Sequence, residues 1–115
     1  MPQELPEGPE LVCPAGSLAA LKTAVDNGAD CVYTGFRDDT NARNFPGLNF
    51  DEATLRQAVD YAHARGKQVF TALNTYPQAG GMGRWRSSLD RAMAAGVDAL
   101  IIADLGLLQY ARRQY

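Results

Sequence analysis

A polar segment at residues 36–50, FRDDTNARNFPGLNF, holds the residue types best suited to chemistry. The candidate ligand-binding residues in it are Arg37, Asp39, Asn41 and Arg43. Guanidinium groups bind carboxylates and phosphates in a forked geometry, and the neighbouring carboxylate and amide can orient a polar ligand. The segment far exceeds the roughly two to six residues that usually join a strand to a helix. It therefore predicts a binding loop, with a solvated loop of internally paired charges as the alternative.

Two further candidates follow apolar runs later in the chain. Asn74 opens a segment with three glycines, residues 74–83, which predicts either a mobile lid or a plain connection. Asp104 follows the apolar run ALIIA and predicts either a general base or ligand-orienting carboxylate, or a helix cap. The turn at residues 14–16, PAG, predicts either backbone amides for an anion or a simple strand-to-helix turn.

Nucleophilic and metal chemistry find little support in the sequence. His63 is the only histidine, and its helical surroundings place it away from the strand ends, so neither a Ser-His-Asp nor a Cys-His arrangement is predicted. Cys13 and Cys31 do not form a CxxC pair, and we expect two reduced, packed thiols. No metal-ligating residue is therefore predicted in this chain.

Apolar runs and helical patterns alternate four times along the chain. Strands are predicted at 11–13, 31–33, 68–73 and 99–103, with helices after each of them. Ser17 and Asp51 are predicted helix caps, and Phe50 with Leu55 fits a hydrophobic staple before the second helix. Glycines 28, 66 and 96 end the first three helices.

This order predicts an α/β fold with a parallel sheet and right-handed crossovers. We expect a parallel β/α, TIM-barrel-like fold with about four βα units of an incomplete barrel. An open doubly wound sheet is the alternative, disfavoured because no GxGxxG turn follows the first strand.

The domain organisation follows from that count. Residues 1–10 are predicted to be a flexible leader, and residues 11–115 the N-terminal half of a β/α barrel domain. Since a barrel needs eight units, four would leave an apolar inner face and two open strand edges. We expect the chain to be a fragment, with pairing to another half as the alternative.

Composition excludes several classes of function. The formal net charge is −2 and the basic residues are scattered, so nucleic acid is not an expected partner. No apolar run approaches the ~20 residues of a membrane span. The first ten residues, MPQELPEGPE, are acidic and rich in proline, unlike a secretory signal, so a cytoplasmic location is expected.

Three segments together resemble the start of the U32 peptidase (collagenase-like) family. They are ELVCPAGSLAALKTAVDNGADCVYTG, DYAHARGKQVFTALNT and AGVDALIIADLGLL. Within that family, GFRDDTNARNFPGLNF is similar to the UbiU-like branch of ubiquinone biosynthesis. The resemblance covers residues 10 to about 113.

The resemblance implies properties that the residues alone do not indicate. UbiU-like proteins act with a UbiV-like partner in oxygen-independent hydroxylation of a quinone precursor, and each binds a [4Fe-4S] cluster through four cysteines. Those cysteines belong to the second half of such proteins, so no cluster is expected in this chain, which is expected to be inactive alone. A U32-type peptidase and a non-catalytic assembly module are the alternatives.

Overall fold

The computed structural model describes residues 8–115, so most of the predicted leader lies outside the described residues. Four strands alternate with four helices, as predicted. In chain order they are β1 (Val12–Pro14), α1 (Leu18–Asp26), β2 (Cys31–Thr34), α2 (Glu52–His63), β3 (Gln68–Leu73), α3 (Met82–Ala95), β4 (Ala99–Ile102) and α4 (Leu105–Gln114).

The strand limits differ slightly from the predicted ones. β1 lies one residue later than predicted, and the Leu11 amide donates to the Asp30 side chain at 2.8 Å instead of joining the sheet. β2 extends by one residue to Thr34, and β4 ends one residue early at Ile102.

The four strands form one parallel sheet in the order β1-β2-β3-β4. Cys13 lies opposite Val32, which in turn lies opposite Val69. When each strand pairs with the next one in sequence, right-handed crossovers place every connecting helix on the same face. A doubly wound sheet instead reverses its strand order at a switch point. The described strands therefore have the barrel-type arrangement, and the doubly wound alternative is wrong.

The predicted helix starts are confirmed. The Ser17 hydroxyl accepts a hydrogen bond from the Ala20 amide at 3.1 Å, and the Asp51 carboxylate accepts one from the Thr54 amide at 2.7 Å. Such side chains satisfy amides that have no partner within the first helical turn. Phe50 is 1% exposed, consistent with its staple position before α2.

The core lies between the sheet and its helices. Val32 and Val69 are fully buried on the helix-facing side of neighbouring strands. Helix side chains at three- and four-residue spacing meet them, as an apolar helical stripe requires. The buried helix residues are Leu21, Val25, Leu55, Ala58, Val59, Ala62, Trp85, Ser88, Leu89, Ala92, Ala95 and Leu107.

The other face of the sheet carries apolar side chains that no other part of residues 8–115 covers. Val12 is 50% exposed and Ile101 is 44% exposed, while Tyr33 and Phe70 are half-buried. β1 and β4 each have an edge that pairs with no other described strand. Among residues 8–115, β4 meets the core only through its helix-facing side.

Candidate functional site

The segment from 36 to 50 forms a loop whose two ends are joined at its base. Phe36 and Phe50 form an isolated parallel bridge, and both are 1% exposed. The Arg37 amide donates to the Phe50 carbonyl at 2.9 Å, and the Phe50 amide donates to the Gly35 carbonyl at 3.1 Å. A loop closed this way is a compact unit, of the kind that often carries function. We call residues 36–50 the site loop.

A cavity of about 450 Å³ opens where β1, β2 and β3 end, between the site loop and the sheet. Its walls are largely apolar, and its polar groups come mainly from the site loop and from the end of β3. The lining residues are Pro14, Ala15, Gly16, Tyr33, Thr34, Gly35, Asn41, Arg43, Phe45, Leu48, Asn49, Ala72, Asn74 and Ile101. This composition suits a ligand with an apolar body and one polar or charged end.

Arg43 is the cation of this cavity. Its backbone is fixed on both sides, since its amide donates to the Asn41 side chain at 3.1 Å and its carbonyl accepts from the Asn49 side chain at 2.7 Å. Within residues 8–115 the Arg43 guanidinium makes no ion pair or hydrogen bond. Asp38 and Asp39, the loop's carboxylates, bind arginines of α3 instead. The free guanidinium can therefore bind an anionic group of a ligand.

Asn74 and Asn41 also line the cavity, but in different ways. The exposed Asn74 accepts a hydrogen bond from the Ala42 amide at 2.8 Å through Oδ1, which leaves its NH₂ group available to a ligand. The buried Asn41 donates to the Phe36 carbonyl at 3.2 Å and accepts from Arg43. Asn41 therefore shapes the loop from within, whereas Asn74 can contact a ligand.

The other three predicted site residues lie outside the cavity. Arg37 donates to the carbonyls of Leu48 and Asn49 and braces the site loop. Asp39 forms an exposed ion pair with Arg84 at 2.5 Å. Asp104 caps α4 by accepting from the Leu107 amide at 2.8 Å, which corresponds to the cap alternative. The structure thus brings together Asn41, Arg43 and Asn74.

Two contributors to the site were not predicted. Asn49 has a φ of 77°, is 8% exposed, and donates to Arg43 while its amide bonds the Gly16 carbonyl at 2.6 Å. Asparagine tolerates this left-handed conformation better than most residues, which is the only sequence signal for its role. Tyr33 lies in a predicted strand and reaches the cavity from the inner face of the sheet.

The remaining loops are more structural than expected. In the turn after β1, proline has no amide hydrogen and the Ala15 amide donates to the Tyr33 carbonyl at 3.0 Å. That arrangement favours the simple turn over an anion site. The base of the 74–83 segment is tied to the site loop, since the Thr75 hydroxyl donates to the Asp39 carbonyl at 2.6 Å. Any lid motion is thereby confined to the later part of that segment.

The cysteines do not fit an iron–sulfur cluster. Cys13 shares its side of the sheet with Val32, its partner in the register, whereas Cys31 precedes Val32 and points to the other face. Burial raises the pKa of the Cys31 thiol, and clusters bind thiolates. No metal-binding group of three or more acidic, histidine or cysteine side chains occurs among residues 8–115.

His63 is the last residue of α2 and lies near the amino-terminal ends of the strands, whereas the cavity lies at their carboxyl ends. Its Nε2 is 2.8 Å from the Asp98 carboxylate, which also accepts from the Val69 amide at the start of β3. The expectation that this histidine lies away from the carboxyl ends of the strands is confirmed. Within the described residues, no helix is long and apolar enough to cross a membrane.

The strands of the parallel sheet follow one another in chain order, the helices lie on one face of it, and the cavity lies at the carboxyl ends of the strands. These features define a protein of the β/α-barrel class. Comparison with known proteins gives the particular family. The chain belongs to peptidase family U32, whose model matches residues 16–115.

Individual relatives agree with this assignment. The chain is 39% identical over 102 residues to "Uncharacterized protease MJ0090" of Methanocaldococcus jannaschii, covering 89% of this chain and 25% of the relative. It is 36% identical over 102 residues to "tRNA hydroxylation protein P" of Helicobacter pylori, covering 89% of this chain and 24% of the relative. The chain thus spans about a quarter of the length of these relatives.

A solved structure supports the fold. The U32 peptidase Mk0906 superposes with a TM-score of 0.69 at 21% identity, over 100% of this chain and 49% of that one. At this identity the likeness shows the shared β/α fold and nothing about activity.

Proposed function

We propose that this chain forms the N-terminal half-barrel of a longer cytoplasmic U32 protein that takes part in hydroxylation. The free guanidinium of Arg43, on a fixed backbone at the mouth of an apolar cavity, is the observation that carries this proposal. The Arg43 guanidinium binds an anionic or strongly polar end of the substrate, and the side-chain NH₂ group of Asn74 donates further hydrogen bonds to it. The relatives named for tRNA hydroxylation support a hydroxylation role over peptide cleavage.

The substrate that we propose is a quinone precursor, hydroxylated without molecular oxygen together with a UbiV-like partner. The similarity of residues 35–50 to the UbiU-like branch supports this choice, and the apolar walls formed by residues such as Phe45 and Leu48 suit an aromatic ring. A [4Fe-4S] cluster, if the longer protein holds one, takes its ligands from residues outside this chain, because Cys13 and Cys31 lie on opposite faces of the sheet.

Hydroxylation of an RNA base is a second candidate, and the printed names of several relatives favour it. An RNA substrate would present phosphates to Arg43 and a base to the apolar walls. The two candidates share the same cavity and the same free cation, so they differ in product and not in the groups that this chain supplies.

The experiment compares cells that lack the gene with cells complemented by the full-length protein, grown without oxygen. Hydroxylated quinone intermediates and hydroxylated nucleosides of tRNA and rRNA are measured by mass spectrometry in the same cultures. The test variant is Arg43→Ala, and the matched control is Arg56→Ala, an exposed arginine of α2 that pairs with Glu52.

Arg43→Ala is expected to lower product formation roughly tenfold or more, since a hydrogen bond to a charged group contributes about 1.5–3 kcal/mol. Its melting temperature should stay close to that of the wild type, because the guanidinium has no partner within residues 8–115. Loss of the quinone product identifies the first substrate, and loss of a nucleoside product identifies the second. Retention of all products in the deleted strain would refute the hydroxylation role and direct attention to peptide cleavage.

A further inference from the structure

Asp38 is the most fully bonded carboxylate of the site loop. Its Oδ1 accepts hydrogen bonds from the Thr40 amide at 2.9 Å and the Thr40 hydroxyl at 2.5 Å. Its Oδ2 accepts from the Ser88 hydroxyl and from Arg91 Nη2, each at 3.2 Å. Both oxygens are thus occupied by protein donors, two within the loop and two from α3. A carboxylate bonded in this way fixes the chain around it.

The α3 side of this contact is rigid. Ser88 is 1% exposed and bonds Arg91 as well as Asp38, at 2.9 Å from Arg91 Nη2. The Arg91 guanidinium also lies over the ring of Phe36, at 4.7 Å from its centroid, in a cation–π contact. Because Phe36 is buried at the base of the site loop, α3 holds the loop at its first residue and again at Asp38.

A series of hydrogen bonds leads from Asp38 to the cavity. Thr40 is bonded to Asp38, and its backbone carbonyl accepts a hydrogen bond from the backbone N–H of Asn74 at 3.1 Å. The Asn74 side chain in turn accepts from the Ala42 amide at 2.8 Å. Ala42 directly precedes Arg43, whose guanidinium is the free cation of the cavity. The position of Arg43 therefore depends on groups that Asp38 holds in place.

We propose that Asp38 is a positioning residue of the site: it ties the site loop to α3 and so places the Arg43 guanidinium at the cavity. This inference rests on the proposed function, in which Arg43 binds the substrate. The neighbouring Asp39 differs sharply, since its side chain bonds only the exposed Arg84 among the described residues. Asp38→Ala and Asp39→Ala thus form a matched pair with the same change in charge and composition.

Hydrogen–deuterium exchange of the full-length protein tests the placement directly. In Asp38→Ala, exchange in peptides covering residues 36–50 is expected to rise about tenfold or more, while peptides from α4 keep their protection. Asp39→Ala should exchange like the wild type in both regions. Equal exchange of the site loop in the two variants would overturn the positioning role, whatever the protein's reaction proves to be.

Product formation in the same full-length variants tests whether Asp38 acts through Arg43. Asp38→Ala is expected to lower it about tenfold to a hundredfold, the range typical of a binding group displaced by about 1 Å. Asp38→Ala should cost much less activity in the Arg43→Ala background than in the wild type, because the Arg43 contact is already lost there and only the contribution of Asn74 remains to be disturbed. If the fold losses of product formation in the two single variants multiply in the double variant, Asp38 has a general structural role and the proposal is overturned. If Arg43→Ala keeps full activity, the proposed function fails while the exchange measurement still decides the placement.

Discussion

Replacing Gly35 with alanine is expected to disturb the candidate site from beneath. A Cβ at this position would lie 2.3 Å from Nδ2 and 2.5 Å from Cγ of Asn41, well inside van der Waals contact. Asn41 is 6% exposed, donates to the Phe36 carbonyl and accepts from the Arg43 amide. The side-chain amide of Asn41 cannot move away from the new methyl group without losing both of these hydrogen bonds.

The size of the effect follows from these contacts. Forcing an extra methyl group into a packed site costs about 1–3 kcal/mol, and each lost hydrogen bond adds about 1 kcal/mol. With both hydrogen bonds lost, Gly35→Ala should therefore lower the free energy of unfolding by about 3–5 kcal/mol. Gly83→Ala is the matched control, because a Cβ there meets nothing within 4 Å in the first turn of α3. That control should be neutral or stabilising by up to ~1 kcal/mol.

Urea unfolding followed by tryptophan fluorescence measures both variants. Trp85 is the single tryptophan of the 115 residues and is 5% exposed, so its emission reports on the core. The variants Asn41→Ala and Gly35→Ala/Asn41→Ala complete a double-mutant cycle, in which the double variant should match Asn41→Ala within about 0.5 kcal/mol. The predicted clash between the Cβ at position 35 and Asn41 is refuted if the two single losses in the free energy of unfolding simply add in the double variant. A loss below about 0.5 kcal/mol for Gly35→Ala alone would refute it as well.

Three further predictions concern single side chains. Asp104→Ala should lower the free energy of unfolding by about 1 kcal/mol through loss of the α4 cap, and Asp104→Asn should keep both stability and activity; an inactive but stable Asp104→Asn protein would make the carboxylate a general base. Hydrogen bonds from the Thr54 side chain and amide lower the pKa of the Asp51 carboxyl. Its stabilising contribution is thus complete at neutral pH and is lost as the pH falls from about 4 through that lowered pKa. Acid titration of Asp51→Asn, in which asparagine still caps α2, should therefore show a smaller loss of stability than the wild type, and identical acid profiles would contradict this. Burial raises the pKa of the Cys31 thiol, so in a Cys13→Ser variant iodoacetamide should modify the folded chain far more slowly than the urea-unfolded chain at pH 7, as measured by intact mass; equal rates would show an accessible thiolate.

Local signals predicted the framework well. The caps at Ser17 and Asp51 depend on bonds to amides three residues away, so a short stretch of sequence contains all the information they need. The strand β3, Gln68–Leu73, has its predicted limits because a run of apolar and β-branched residues is bounded on both sides by polar ones. Alternation of these elements was enough to predict the parallel sheet.

The roles within the site loop could not be predicted in the same way. Arg37, Asp39 and Arg43 are all charged residues of one short loop, so the sequence gives no means of telling their roles apart. Only the contacts that each side chain makes in the folded protein distinguish them. Asp39 is neutralised by Arg84, which lies on α3 far along the chain, and Arg37 turns back to carbonyls of its own loop. Arg43 is left free because no acidic partner reaches it within residues 8–115. Sequence reasoning identified the loop, and the partners of each charge decided its function.

The strand order has a consequence for how this protein forms during synthesis. Each strand pairs only with the strand that precedes or follows it in the chain, and each helix packs against its sequential neighbours. As the polypeptide leaves the ribosome, every new βα unit finds its docking surface already made by the unit before it. The Asp38 contact with α3 is formed only when the third unit arrives, so the site loop becomes ordered after the sheet beneath it. Each parallel pairing nevertheless joins residues 19 to 37 positions apart, so each new unit must close a long segment before its strand can dock.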